Sequence, residues 1–389
     1  MEKLKVYAKT IDDETLRQIW EMSDSEAYRE CLVRIMPDCH AGKSCTVGTV
    51  IKTEGRVIPN TVGVDIGCGM LVAEFKHADI DLKRLDEVVG TLIPSGQDIH
   101  AKPVAVFEPL SHLRCLPDIA LDKALCAIGS LGGGNHFIEA DKDDDGTTYL
   151  VIHSGSRNLG VKVCKHYQRR AVKCAKDISE QSRPIIEQMK REGRQKEISK
   201  ALADIRRPVV QEEMAYVKDE ALDDYLHDMQ IAQLYAKKNR ETMLNIICRA
   251  MGLTSDSMFH TIHNYIEQSG SEVILRKGAV SAKEGERLII PMNMRDGSLI
   301  CRGKGNSDWL CSAPHGAGRL MSRSEAREKI SLQEFEASMQ GIYTTSVCTE
   351  TIDESPMSYK PMQEIMDCIE PTVSILKIIK PIYNFKAKG

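Results

Sequence analysis

An acid and a thiol stand close together among glycines in Asn60-Thr-Val-Gly-Val-Asp65-Ile-Gly-Cys68-Gly-Met70. Glycine at 63, 67 and 69 lets the backbone turn sharply, so the Asp65 and Cys68 side chains can converge. A carboxylate with a thiolate is a mixed hard and soft donor pair, able to hold zinc, manganese, iron or cobalt once imidazoles join it. Taken alone, the same pattern also describes a glycine-rich turn over a buried cysteine. Three imidazoles supply what is missing. His136 follows three glycines in Leu131-Gly-Gly-Gly134-Asn135-His136, His153 ends the apolar run Tyr149-Leu-Val-Ile-His153, and His263 lies in Phe259-His260-Thr-Ile-His263-Asn264-Tyr265. Asp65, Cys68, His136, His153 and His263 are five potential ligands, enough for two metals bridged by one thiolate, although they form no compact metal motif.

Phosphate chemistry is suggested further along. Leu275-Arg276-Lys277-Gly278 is a basic turn, with Lys277 as its candidate phosphate contact. In Ser312-Ala-Pro-His315-Gly-Ala-Gly-Arg319-Leu-Met-Ser-Arg323, glycines flank an imidazole at what reads as a helix start, which puts Arg319 and Arg323 on one helical face. Backbone N–H groups and guanidiniums at such a turn can hold phosphates while His315 attacks one, keeping a phosphoryl or nucleotidyl group as a phosphoramidate. The residues by themselves indicate a metalloenzyme acting on phosphate. A binuclear phosphoesterase and a nucleotidyl transferase both stay open. A third class, a non-catalytic RNA-binding or metal-sensing protein, leaves the reactive histidine without a use.

Strands must deliver most of these groups. A short strand near 4–8 and a helix over 12–20 capped by Thr10 precede a second short helix at 25–30. A strand over 31–36 then presents Pro37-Asp38-Cys39-His40-Ala41-Gly42-Lys43 as a loop, either a ligand contact or a solvated turn. Segments 46–51 and 56–58 alternate as a hairpin about Glu54-Gly55, and a strand follows over 70–75. Residues 82–92 read as helix. The polar turn at 141–146 makes a hairpin that brings His136 and His153 near one another. From 160 to 252 the chain turns helical, with segments at 167–176, 178–192, 196–205 and 209–251. Its basic residues, among them Arg169, Arg170, Arg206 and Arg207, are an RNA-facing patch or the solvated face of helices. Packing is the first reading of Asn239 and Arg240 in the last helix, with a place beside a site as the other. Strands at 287–292 and 298–302 and a helix at 361–368 complete the chain.

A chain of 389 residues, 42% hydrophobic and 28% charged, can bury a large core and has no run of apolar residues long enough to cross a bilayer. The formal charge of −4 offers no global attraction to nucleic acid, so a positive field must be local. Thirteen cysteines, an odd number without framework spacing, read as reduced thiols. With no export signal at the N-terminus, the expectation is a cytosolic protein.

Seven segments together resemble the RtcB family of RNA-splicing ligases. They are Pro37-Asp38-Cys39-His40, Val64-Asp65-Ile66-Gly67-Cys68-Gly69, Gly133-Gly134-Asn135-His136-Phe137, His153-Ser154-Gly155-Ser156-Arg157, His263-Asn264-Tyr265, Arg276-Lys277-Gly278-Ala279 and His315-Gly-Ala-Gly-Arg319-Leu-Met-Ser-Arg323, in the family's order. The resemblance implies an α+β fold, one large domain of packed sheets with peripheral helices over 1–389, with 160–252 as a helical excursion. It implies a GTP- and Mn2+-dependent ligase joining RNA 2′,3′-cyclic phosphate or 3′-phosphate ends to 5′-hydroxyl ends, in tRNA splicing or RNA repair. Asp65, Cys68, His136, His153 and His263 are then expected to bind two Mn2+ ions with Cys68 bridging, and His315 to carry GMP. Asn135, Glu139, Ala317, Arg319 and Lys386 match positions around the nucleotide, and Arg157, Arg323 and Lys277 match RNA or phosphate contacts. An archease-like activator is a further implied partner. Two departures stand out. The chain ends Lys386-Ala-Lys388-Gly389, which makes Lys388 a rival to Lys386, and Pro291-Met-Asn293-Met-Arg295-Asp-Gly297 replaces the family's usual Pro-Gly-Ser-Met-Gly. The second puts serine-mediated guanine recognition in doubt and hints at a repair paralogue.

Overall fold

The computed structural model describes residues 2–387 except 77, 178, 199–200, 202–209 and 271. Its architecture is α+β. Seven strands form the larger sheet in the order Arg287–Asn293, Gly297–Gly303, Val373–Lys386, Phe137–Lys142, Thr148–Ser154, Gly69–Phe75 and Ser257–Ile262. Five form a second sheet in the order Leu4–Val6, Leu32–His40, Val47–Thr53, Glu272–Lys277 and Asn264–Ser269.

The antiparallel register of the larger sheet decides where the site falls. Phe137 pairs with His153, and Gly69 pairs with Ser154 on one side and Ile262 on the other. Cys68, His136 and His263 are each one residue outside a strand end, so the pairing brings them to the same edge as His153. Adjacent strands lie about 4.8 Å apart, which is close enough for neighbouring side chains to share one ion.

Apolar faces lock this sheet in place. Leu71, Ala73, Ile138, Leu150 and Ile152 pack against Leu85, Val88 and Val89 of the Leu82–Leu92 helix and against Met243, Leu244 and Ile247. The last three belong to a 33-residue helix, Asp219–Met251, whose earlier residues Tyr225, Met229 and Ala232 enter the core beside the second sheet. This part of 160–252 is therefore central, a backbone for both sheets, and not a peripheral excursion. It is stopped by Gly252 in the left-handed conformation, φ 67°.

Several local expectations change. Residues 25–30 are turns, and Asp12, not Thr10, caps the first helix, Asp13–Ser23. The strand expected over 31–36 continues through Asp38 to His40, with a register shift that accommodates Pro37. Arg56–Val57 pairs with Val217–Lys218 and Val47–Thr53 pairs with Leu32–His40 and Glu272–Lys277, so the hairpin expected about Gly55 is absent. That partner at 217–218 also delays the start of the helix expected over 209–251 by ten residues, to Asp219. The segment at 196–205 and the candidate contacts Arg206 and Arg207 lie wholly or partly outside the described residues. Finally, 315–322 is a loop and the helix begins only at Arg323, capped by Ser322. Gly318, at φ +75°, is the reason: a Cβ there would lie 2.2 Å from the Asp38 carbonyl oxygen.

Candidate active site

The five expected ligands meet at the edge of the larger sheet. Cys68 Sγ lies 3.4 Å from His136 Nε2 and 3.2 Å from His153 Nε2. His153 Nε2 is 3.4 Å from His263 Nε2, and His136 Nε2 is 3.0 Å from Asp65 Oδ2. Two trios result, Cys68 with His153 and His263, and Asp65 with Cys68 and His136; within each, the donor atoms lie within 4.8 Å of one another. Cys68 is common to both, the arrangement a bridging thiolate requires.

Backbone carbonyls orient the rings. His136 Nδ1–H donates to Leu131 O at 2.9 Å and His153 Nδ1–H donates to Asn135 O at 3.1 Å, which aims each Nε2 at the cluster. Asp65 Oδ1 accepts from Ser156 N at 3.2 Å. Gly155 is required beside it, since a Cβ there would lie 2.1 Å from Asp65 Oδ1. The central helix fixes the loops: Asn239 bonds to Gly129, Ser130 and Gly155, and Arg240 NH1 donates to Gly67 O and Ser154 O. Both side chains are fully buried and hold the ligand-bearing turns, so they belong to the frame of the site.

Protonation suits a cation. Burial holds His153 and His263 well below the ordinary imidazole range, so both are neutral and ready to coordinate. Burial pushes Asp65 upward, but the hydrogen bond and charge of His136 outweigh it and hold the carboxylate down at about 2. Burial and the charge of Asp65 raise the Cys68 thiol well above its usual value. Without a cation the thiol keeps its proton, and coordination must release it. Titrating the chain with Mn2+ in two buffers of different ionisation enthalpy is expected to show proton release on metal binding, with affinity rising as pH rises. Equal heats in the two buffers contradict a thiolate ligand.

His315 stands beside this cluster. Strand Ser312–Pro314 pairs with Ala279–Ser281, and Ala279 N donates to His263 O, so His315 and His263 come together with ring centroids 4.8 Å apart. The Asp38 carboxylate can only accept, so His315 Nδ1–H donates to Asp38 Oδ2 at 2.6 Å. The same oxygen accepts from the backbone N–H of His315 at 3.1 Å and of Gly316 at 3.2 Å. Asp38 is fully buried and fixes the tautomer in which Nε2 carries the free lone pair. Asp38→Asn is expected to slow group transfer to His315 by about 10^2- to 10^4-fold with little change in nucleotide affinity. Single-turnover labelling measures it, and an unchanged rate rules out the orienting role.

One cavity opens from His315. Its walls include Asn135, Glu139, Ala317, Arg319, Arg323 and Lys386, all residues expected around nucleotide or phosphate. A second cavity reaches the other side of the cluster through Asp65, His136 and Arg157, with Lys123 and Lys162 on its rim. Arg157 is largely engaged there, donating to Ser130 Oγ at 3.0 Å and Gly96 O at 2.9 Å. Lys277 borders neither cavity. It packs where a Cβ on Gly63 would meet its Nζ at 2.1 Å, while Arg276 is buried against Glu267 at 2.7 Å and Ser312 at 2.9 Å. The basic turn expected at 275–278 therefore presents no guanidinium to a ligand.

Sequence comparison agrees with this assembly. The family model described as tRNA-splicing ligase RtcB matches residues 22–113 and 111–387. The chain belongs to the RtcB family. RNA-splicing ligase RtcB of Escherichia coli strain K12 is 30% identical over 393 residues, covering 91% of this chain and 90% of that protein. RNA-splicing ligase RtcB2 of Escherichia coli strain ATCC 25922 is 24% identical over 385 residues, covering 91% and 87%. The tRNA-splicing ligase RtcB of Methanococcus maripaludis is 25% identical over 434 residues, covering 89% and 85%. Membership makes the chain an enzyme of the RNA-ligase class.

Residues missed from sequence complete the RtcB cavity. Glu354 accepts from Lys386 Nζ at 2.5 Å, Arg323 NH1 at 2.5 Å and Tyr359 OH at 2.6 Å. Burial raises its carboxyl, but Lys386 and Arg323 prevail and hold it down at about 2. Arg319 approaches the same acid and donates to Asp353 O at 2.6 Å, so the two arginines converge from a loop and a helix start. No short motif links Glu354 to either. At 291–294 the wall is Pro291, Met292, Asn293 and Met294, with the Asn293 amide spent inside its own loop on Arg295 and Asp296. Lys386 borders the cavity, whereas its rival Lys388 lies outside the described residues.

Proposed function

We propose that this RNA ligase uses GTP and two Mn2+ ions to join RNA 2′,3′-cyclic phosphate or 3′-phosphate ends to 5′-hydroxyl ends, in tRNA splicing or RNA repair. The observation that carries the reading is the placement of His315, oriented by Asp38 and set between the cavity lined by Glu139, Arg319 and Lys386 and the trio Cys68, His153 and His263. Asp65, Cys68, His136, His153 and His263 would hold the metals; this donor set suits several first-row ions, and Mn2+ follows from the family resemblance. Bound there, the ions would supply positive charge to the triphosphate and to the departing pyrophosphate.

His315 Nε2 attacks the α-phosphorus of GTP, the bond to pyrophosphate breaks, and GMP remains on the ring. Asp38 stabilises the positive charge that develops on the imidazole, because its carboxylate already faces Nδ1–H. Glu139 accepts from the N–H edge of guanine, while Asn135 and Ala317 line the path from base to phosphate. An RNA 3′-phosphate then takes GMP from His315, and the 5′-hydroxyl displaces GMP to form the phosphodiester. The second cavity, with Arg157, Lys123 and Lys162, suits the RNA end on the side of the cluster away from the nucleotide.

Residues 1–389 would act as one ligase domain in the cytoplasm, with an archease-like activator as a candidate partner. No helix among the described residues is long and apolar enough to cross a membrane. Incubating two RNA fragments, one ending in 3′-phosphate and one beginning with 5′-hydroxyl, tests the reading. Joining that requires both GTP and Mn2+ is expected. Release of phosphate from the 3′ end without GTP identifies a phosphoesterase instead.

A further inference from the structure

Behind the nucleotide cavity the larger sheet buries a second acid that the reaction above does not use. Glu139 and Asp141 are two apart on strand Phe137–Lys142, so both project from one face. Glu139 lines the cavity; Asp141 sits deeper, with no solvent exposure. Neither Asp141 oxygen has a hydrogen-bond partner among the described residues. The neighbouring strands explain why. Opposite Asp141 stand Pro381, which has no N–H, and Tyr149, whose hydroxyl is given to Asp143 at 2.9 Å. A buried carboxylate without a donor is far costlier than a neutral carboxyl.

We propose that Asp141 is a positioning residue of the nucleotide cavity: it keeps its proton and offers it to Glu139, holding Glu139 as the carboxylate that reads the base. The inference rests on the proposed function and deepens it. Other groups around the pair do not supply this donor. Asn384 Nδ2 donates to Glu139 Oε2 at 2.5 Å and occupies one oxygen; its own Oδ1 has no partner among the described residues. Lys386, on the same strand as Asn384, is bound to Glu354, and Lys377 is bound to Asp143 at 2.5 Å. His40, His153, His315, Arg319, Arg323 and Tyr359 complete the titratable and charged groups around the cavity among the described residues, and Arg323 and Tyr359 are likewise bound to Glu354.

Burial pushes Glu139 up, to about 7, against the lowering effects of Asn384, Asp141 and Lys386. Burial and the charge of Glu139 push Asp141 much higher, so Asp141 is the member that stays protonated. Guanine presents N1–H and N2–H donors and needs the ionised Glu139. A neutral Glu139 offers one donor and one acceptor, which suits the adenine edge instead. Without Asp141, burial drives Glu139 further toward the neutral form.

The sign for stability is opposite. Both carboxyls have raised values in the folded chain, so their contribution is fully present below the ordinary carboxyl range and is lost as pH rises through the folded values. An apolar side chain at 141 carries no such loss. D141V is therefore expected to melt at a higher temperature than wild type yet bind GTP about fivefold more weakly at about pH 7, because a tenfold weaker Glu139 acid falls there from about half to about one-tenth ionised. D141N retains an N–H donor and is expected to keep the wild-type affinity.

Binding of the α,β-methylene analogues of GTP and ATP to the Mn2+-loaded chain, measured calorimetrically between about pH 6 and 8.5, tests this directly alongside thermal melts. The expected result is a GTP profile displaced to higher pH in D141V, a smaller preference for guanine over adenine, and rescue of both in D141N. Superposable profiles in D141V and wild type overturn the inference, as does D141N impaired like D141V. Loss of affinity in D141V at every pH, with a lower melting temperature, overturns it too by making Asp141 structural. A wild-type chain that takes up neither nucleotide overturns the proposed function and this inference together.

Discussion

A His315→Ala chain is expected to join RNA on the order of 10^4-fold more slowly than wild type, or not measurably, while still binding GTP and two metal ions. The split follows from the geometry. His315 contributes nothing to either ligand trio, and the cavity walls formed by Glu139, Asn384 and Lys386 do not depend on its ring. Of the other two imidazoles of the cavity, His153 faces the Cys68 and His263 trio and His40 cannot replace His315. Its Nδ1–H is given to Asp38 O at 2.9 Å, and it has no counterpart to the carboxylate that orients His315. Burial moreover lowers His40 to about 4. Equilibrium binding of GTP and single-turnover ligation on the same preparation check the expectation. Ligation in His315→Ala within about tenfold of wild type excludes a covalent role for this residue.

Cys68→Ala is expected to be as damaging for a different reason. Losing Asp65 or His263 removes a donor from one trio, but losing Cys68 removes one from both. Metal stoichiometry, measured by elemental analysis after gel filtration, should fall from two ions per chain to none or to a weakly held remainder, and ligation should fall with it. Retention of two ions by Cys68→Ala disposes of the bridge. Removing one buried sulfur leaves the surrounding Met70, Leu71 and Val72 packing in place, so the metal-free variant should melt close to the metal-free wild type. That comparison separates a lost ligand from a lost fold.

The convergence of the candidate ligands is legible because each is tied to a strand end by its own neighbours. The His136 and His153 hairpin is a local object: glycines, an apolar alternating run and a polar turn set its register within 20 residues, and the structure pairs Phe137 with His153 accordingly. The Leu82–Leu92 helix is equally local and has the span that its periodicity indicates. Asp38 was not legible. Its partner is 277 residues away, and Pro37 made a loop the natural reading of a strand that bends without ending. The hairpin about Gly55 fails for a similar cause: Val57 pairs with Val217, a choice fixed by packing against the central helix and invisible in the local alternation. Arg319 lies in the loop before the helix that starts at Arg323, so the two share no helical face. What unites them is the buried Glu354, which no helical spacing encodes.

Electrostatics shows the same division. The types of the titratable residues were evident, but their states depend on enclosure. Burial leaves His153 and His263 neutral, keeps the proton on Cys68, and makes ionisation of Glu139 difficult. Asp65 and Glu354 remain ionised because a histidine and a pair of cations, respectively, face them across short distances.

Incubation with α-phosphorus-labelled GTP and Mn2+, followed by peptide mapping, tests the central claim most directly. The predicted result is one acid-labile, base-stable adduct of GMP on the peptide containing His315, formed with release of pyrophosphate and discharged when RNA ending in 3′-phosphate is added. Label on another residue, or undiminished labelling of a His315→Ala chain, contradicts it.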